Sequence, residues 1–344
     1  MMRYSMKGTC AAFAVGFARQ QVKVPMLAGL DNLRPLSSLS QKDTKLFSTF
    51  KAPEPPQSKG QLVYDDIDVS NRNQDSLIRN SDPDAVFVVS GGSRGIGLQF
   101  VKSLVQKTKG TVVALCRSPE SAHGLNDAIL SLEDKDKQRI KVFRLDLQDQ
   151  NSIQETCDNL KNTFKRVDLL LNVAGILGDG QNTPGPERTI QKIERDWMTQ
   201  TLEVNVVGPV MLSQGLLPLL EQSRRGKNKE QMRPKAVIAN LSARVGSISD
   251  NGLGGWYSYR ISKSALNQAT RTMAHELKRK SVLSIALHPG TTDTDLSKPF
   301  QKNVQEGRLF PVDFTVDSLL GVIDSMQDEN SGGLYDWAGK AIPF

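Results

Sequence analysis

The stretch Ser90-Gly91-Gly92-Ser93-Arg94-Gly95-Ile96-Gly97 restricts what this chain can fold into more than any other. It follows Ala85-Val86-Phe87-Val88-Val89, an unbroken apolar run rich in valine. It precedes Ile96, Leu98, Val101, Leu104 and Val105, which recur at helical spacing. An apolar run without alternation reads as a strand covered on both faces. Glycines in the turn between such a strand and a helix let backbone N–H groups approach an anion, and the helix N-terminus adds partial positive charge. The spacing is GxxxGxG, not the GxGxxG of larger dehydrogenases, but the strand–turn–helix context is that of a cradle for a dinucleotide pyrophosphate.

The alternation continues downstream. Residues 111–115, 140–145, 167–173, 236–241 and 284–288 read as further strands, and residues 121–132, 151–164, 194–220 and 257–278 as helices. Strict βαβ order with short connections predicts an α/β, Rossmann-type doubly wound parallel sheet in a single domain over 84–344. Residues 61–83 are polar and read as an irregular lead-in.

Residues 1–60 stand apart. They hold nine Lys/Arg against three Asp/Glu, whereas the remainder holds 35 against 34. Six of the seven net positive charges therefore belong to the leading segment, and the body offers no basic face for nucleic acid. The one compact basic cluster, residues 223–235, reads as a solvated loop. Met1 to Leu30 lacks acidic residues and carries Arg3, Lys7, Arg19 and Lys23 among small apolar residues and serines. That is the composition of a transit peptide for a mitochondrion or plastid, followed by a Pro-rich linker at 51–60. The alternative is an unstructured tail on a cytoplasmic protein. The longest apolar run near the start, residues 11–18, is too short to span a membrane. Three separated cysteines and three histidines give no zinc spacing or disulfide framework, so no metal is expected.

The end of the second strand bears on which dinucleotide binds. A site for NAD places an acid about 20 residues after the glycines, on the ribose 2′-OH. This chain has Cys116-Arg117-Ser118 there. Arg117, with Arg94 in the glycine loop, suits a 2′-phosphate through a guanidinium fork, so NADP(H) is preferred over NAD(H). The alternative makes both ordinary surface arginines.

Tyr259 and Lys263 stand at i and i+4 at the start of the helix after the fifth strand, on one helix face. A phenol of ordinary pKa, about 10, is a poor proton carrier at neutral pH, and a neighbouring ammonium favours its ionised form.

With these motifs the chain resembles the short-chain dehydrogenase/reductase family, in its compact single-domain branch. The markers occur in order: the glycine loop, Asp146 after the third strand, Asn172-Val173-Ala174-Gly175 after the fourth, Asn205 in the next helix, Tyr259 and Lys263, then Pro289-Gly290 with Thr294. Residues 241–267 and 331–337 look most like the C-factor-like or sniffer-like carbonyl reductases. The resemblance implies that Tyr259 exchanges a proton with a carbonyl or alcohol substrate. Lys263 would bind the nicotinamide ribose and tune Tyr259, and Asn205 would hold a water. Gly91, Ser93, Arg94, Gly95, Ile96 and Gly97 would hold the pyrophosphate side of the cofactor. Asp146 would meet the adenine, Asn172, Ala174 and Gly175 would flank the cofactor, Pro289 and Gly290 would also bind it, and Thr294 would touch the nicotinamide amide. It also implies a homodimer or homotetramer, and a substrate pocket drawn from residues 176–197, 250–256 and 291–311.

One departure stands out. Where the family carries its catalytic serine, Asn240-Leu241-Ser242-Ala243-Arg244-Val245-Gly246 places Ala243. A methyl group cannot donate a hydrogen bond to a carbonyl, and loss of one such donor costs about 10²–10³ in rate. Ser242 and Ser247 are the candidate substitutes, although strand alternation aims Ser242 at the opposite face. A second reading follows from Ala243: a nucleotide-binding sensor or interaction module that kept the fold with weak or lost catalysis.

Overall fold

The computed structural model describes residues 64–221 and 233–344, all within one compact unit, Leu62–Phe344. The transit segment and linker assigned to 1–60, and most of the basic cluster at 223–235, lie outside the described residues.

The main sheet comprises β1 Val86–Ser90, β2 Thr111–Cys116, β3 Ile140–Arg144, β4 Leu169–Asn172, β5 Ala236–Leu241, β6 Val282–His288, β7 Leu334–Asp336 and β8 Ala341–Ile342. Their spatial order is β8-β7-β6-β5-β4-β1-β2-β3. Every neighbouring pair is parallel except β7 with β8. The fold is the expected Rossmann-type doubly wound domain. Its longer helices are α1 Gln74–Ser81, α2 Gly95–Lys107, α3 His123–Leu130, α4 Gln150–Thr163, α5 Arg195–Glu221, α6 Tyr257–Leu277 and α7 Val312–Ser325, with a single turn at Asp134–Lys137. A short parallel pair, Thr291–Thr292 with Leu309–Phe310, lies outside the main sheet.

Alternation along β1 explains its continuous apolar run. Phe87 and Val89 enter one core with Phe100 and Leu104 of α2 and Leu319 of α7. Val86 and Val88 enter the other with Ile153 and Leu160 of α4 and Leu212 and Leu216 of α5. A strand buried on both faces has no position for a polar side chain until it ends at Ser90. Helix α5 is long and apolar enough to cross a membrane by length and composition. Its Leu212, Leu216, Leu219 and Leu220 are buried in the core, as befits a helix laid against a sheet.

Two parts of the fold depart from the sequence reading. Helix α7 packs against α2 in the core, and the hairpin β7–β8 completes the sheet edge, where only six strands were expected; three- and two-residue strands are too short to show a period. The stretch 61–83, read as irregular, contains α1. Its N-cap Asn73 accepts the Ser76 N–H at 2.7 Å. Arg79, 2% exposed, pairs with Asp324 of α7 at 2.8 Å, and Asn80 donates to the same carboxylate at 2.9 Å. Helix α1 docks through polar contacts, so hydrophobic periodicity could not reveal it.

The strand order reverses around β1, which lies between β2 and β4. In an open α/β sheet, ligands bind outside the carboxyl ends of the strands at such a switch point. Ser90 and Asn172 are paired there.

Candidate active site

The turn leaving β1 is tight. Gly91 has φ +76° and Gly95 φ +53°, in the left-handed region that favours glycine. The N–H groups of Gly91 and Gly92 donate to Leu115 O at 2.9 and 3.0 Å, holding the loop against the end of β2. A Cβ at Gly91 would stand 2.9 Å from the Ala174 backbone, and one at Gly97 only 2.1 Å from Gly91 O. The Cβ position of Gly95 faces Thr294 at 3.5 Å, so the loop and the segment after β6 approach each other. Arg94 at the N-cap of α2 makes no side-chain capping hydrogen bond, which leaves the helix N–H groups it flanks uncapped by that residue. These glycines fit a nicotinamide dinucleotide: side chains here would fill the cradle. Gly97→Ala is expected to destabilise the chain by about 1–3 kcal/mol through overpacking and to abolish NADPH binding. Urea unfolding and fluorescence titration check it; retained affinity would exclude the cradle assignment.

Arg94 and Arg117 are both exposed, Arg117 immediately after β2. Among the described residues neither forms an ion pair. Ser93 and Ile96 are partly exposed along the loop. Asp146, after β3, accepts the Gln148 N–H at 3.0 Å and donates its own N–H to Ser152 Oγ at 2.9 Å, which fixes the turn.

Asn172 serves the sheet. Its Nδ2 donates to Asn240 Oδ1 at 2.8 Å and Ser213 Oγ at 3.2 Å, and Asn240 donates onward to Thr270 at 2.9 Å. This buried network ties β4, β5, α5 and α6 together through the Asn172 amide nitrogen, while its Oδ1 has no partner among the described residues. The segment beyond it does reach the site: the Gly175 Cβ position lies 3.2 Å from Asn205 Oδ1 and 3.6 Å from Lys263 Nζ.

Asn205 sits in a π-helical turn, Glu203–Val207, within α5. Such a bulge shifts the helix register and often marks a functional site. Asn205 Oδ1 accepts the Ile176 N–H at 2.8 Å, and Nδ2 donates to Ile176 O at 2.9 Å and to Ser262 Oγ at 3.0 Å. The amide thus joins the loop after β4 to α6. Ser262 was not singled out in the sequence, because a serine inside an amphipathic helix carries no signal.

Lys263, 3% exposed, donates from Nζ to Leu241 O at 2.8 Å and lies 5.5 Å from the Tyr259 ring centroid. Burial lowers its ammonium to about 8 and pushes the Tyr259 phenol up, because a low-dielectric surrounding disfavours both charged forms. Trp256 meets Tyr259 edge to face at 6.3 Å, and Phe300 lies 5.2 Å from Trp256. Trp197 instead packs against the loop at Gly185, whose Cβ position is 2.4 Å from its Nε1.

Neither candidate serine has a hydroxyl partner at Tyr259. Ser242 Oγ donates to Asn267 Oδ1 at 2.6 Å, as strand alternation anticipates. Ser247 Oγ donates to Pro343 O and accepts the Asp250 N–H at 3.1 Å. Ala243 is 8% exposed at the end of β5. Beyond β6, Pro289 O accepts the Thr292 hydroxyl at 3.3 Å. Gly290 has φ +72°, its Cβ position 2.6 Å from the Phe310 ring. Among the described residues Thr294 Oγ1 has only a 3.5 Å contact to Thr292 O, so its hydroxyl is nearly free there.

The profile of the short chain dehydrogenase family matches residues 85–305. An uncharacterized oxidoreductase of Schizosaccharomyces pombe is 27% identical over 269 residues, 75% of this chain and 98% of that protein. C-signal of Myxococcus xanthus is 30% identical over 178 residues, 52% of this chain and 93% of that protein. The NADPH-bound carbonyl reductase from chicken fatty liver superposes with a TM-score of 0.65 at 28% identity, covering 76% of this chain and 99% of that one. The carbonyl reductase Sniffer of Drosophila melanogaster gives 0.66 at 26% identity, covering 76% and 100%. A glycine cradle at the switch point, a Tyr–Lys pair on α6 and a family match over most of the chain make this protein an oxidoreductase of the short-chain dehydrogenase family.

Proposed function

We propose that this enzyme is an NADP(H)-dependent carbonyl reductase in which Tyr259 supplies the proton. The observation that carries the reading is the Lys263 ammonium 5.5 Å from the Tyr259 ring, with the Cβ position of Gly175, expected to flank the cofactor, 3.6 Å from Lys263 Nζ and 3.2 Å from Asn205 Oδ1. When bound, the nicotinamide supplies the hydride. Gly91, Ser93, Gly95, Ile96 and Gly97 hold the pyrophosphate, and Arg94 and Arg117 hold the 2′-phosphate. Asp146 meets the adenine, and Thr294 offers its hydroxyl to the carboxamide. Asn205, already bonded to Ile176 and Ser262, orders the backbone around a water. Burial keeps the Tyr259 proton in place until the carbonyl oxygen gains charge, which favours reduction, and Lys263 then favours the phenolate.

Ala243 supports a second reading, a nucleotide-binding module with slow chemistry, because its methyl cannot donate to the carbonyl. Turnover of a panel of aldehydes and ketones with NADPH and NADH in parallel separates the two: NADPH oxidation with any small carbonyl excludes the module, and binding without turnover excludes the reductase. Arg117→Ala is expected to weaken NADPH about tenfold or more, from loss of a charge-assisted hydrogen bond, and to leave NADH affinity unchanged; equal loss for both would remove Arg117 from the 2′-phosphate site. Organelle import by residues 1–60 and assembly into a homodimer or homotetramer belong to the same reading, tested by fluorescent-fusion imaging and light scattering.

A further inference from the structure

Glu187, on the connection between β4 and α5, is 3% exposed. Among the described residues it forms no ion pair. A buried carboxylate without a cation is unfavourable unless hydrogen bonds satisfy it. Its partners all belong to the start of α6. The Ser258 N–H donates to Oε2 at 3.2 Å, and the Ser258 hydroxyl donates to Oε1. The Trp256 N–H donates to the Glu187 backbone carbonyl at 2.5 Å.

Between those contacts sits a strained residue. Trp256, at the N-cap of α6, has φ 55° and ψ 43° and no side-chain cap. A bulky side chain in the left-handed region costs free energy and persists only where its surroundings impose it. The imposed shape turns the chain into α6 with the Trp256 ring edge-on to Tyr259 at 6.3 Å. Arg260 adds two restraints, donating to Gly255 O at 3.0 Å and Val245 O at 3.2 Å. The carboxylate also faces the positive end of the α6 dipole, one residue before the phenol.

We propose that Glu187 is a positioning residue: it clamps the turn Trp256-Tyr257-Ser258 and thereby sets the direction in which Tyr259 presents its hydroxyl. Glu187, buried against the start of α6, acts through Ser258 and Trp256. This inference rests on the reading of Tyr259 as the proton donor. An amide can replace the carboxylate geometrically, because its oxygen accepts the Ser258 N–H while its NH₂ donates to Ser258 Oγ. An alanine cannot.

The test uses the full chain with NADPH and 4-nitrobenzaldehyde, measuring kcat, aldehyde KM, NADPH affinity by fluorescence and thermal unfolding. Glu187→Ala is expected to lower kcat by about tenfold to 10², the scale set by misplacing a reacting group. NADPH affinity should stay within about threefold, since the cradle is untouched. Glu187→Gln should restore kcat to within about threefold. If Glu187→Ala fails to fold, Ser258→Ala, which removes only the hydroxyl contact, must show the same fall in kcat without loss of NADPH affinity. Unchanged kcat in a folded Glu187→Ala, parallel loss of kcat and NADPH affinity, or no rescue by Gln would each overturn the clamp. A Tyr259→Phe control separates the two ideas: if it turns over normally, the proton-donor reading fails first, whatever Glu187 does.

Discussion

Tyr259→Phe is expected to lower kcat for carbonyl reduction by about 10²–10⁴, the contribution of one placed general acid, while NADPH binds as before. The substitution removes one oxygen atom and keeps the ring, so the edge contact with Trp256 at 6.3 Å survives. The Tyr259 hydroxyl has no hydrogen-bond partner among the described residues, so no protein group loses a bond. The fall in rate therefore isolates the proton. Single-turnover measurement with preloaded NADPH avoids confusion with product release. A Phe variant retaining more than about a tenth of the rate would show that water, or another group, protonates the product.

The second large effect concerns stability. Asp168→Ala is expected to cost about 3–5 kcal/mol, the range for removing one partner of a buried ion pair. Asp168 is fully buried just before β4 and accepts from Arg166 Nε at 2.9 Å and from the Val86 N–H at 2.9 Å. Arg166 is 4% exposed and would keep only Asp82, at 2.8 Å, as a partner. The loss strands a guanidinium and a backbone N–H together, both away from water. Asp168→Asn retains an acceptor for Val86 and should recover part of the loss. Urea denaturation with extrapolation to water measures both variants; a loss below about 1 kcal/mol for alanine would mean that water reaches Arg166.

Much of the candidate site is legible without coordinates because its residues lie close together along the chain. The glycines at 91, 95 and 97 sit in one turn, and Tyr259 and Lys263 sit one helical turn apart. Arg117 falls at a strand end that alternation alone locates. Asn205 needed an ordered set of markers to be noticed, and its π-helical setting shows only in three dimensions. At three of the candidate positions the side chain has a further partner that one-dimensional spacing does not encode. Asn172 lies at the expected strand end, but its amide is drawn into the Asn240–Thr270 network. Ser242 and Ser247 are close in sequence to the missing hydroxyl, but Asn267 and Pro343 take their protons.

By itself, the sequence determined the order of the first six strands and the helices between them, the glycine turn and the placement of Tyr259 and Lys263 on one helix face. Each depends on a period or turn a few residues long, and backbone sterics and solvent exclusion act at that range. Only the tertiary structure decided that α1 belongs to the domain through Arg79 and Asp324, 245 residues apart. It alone brought Glu187 to Ser258 across 71 residues. Polar contacts between distant segments leave no hydrophobic rhythm, because each needs one donor and one acceptor at about 3 Å and imposes nothing on its neighbours in sequence.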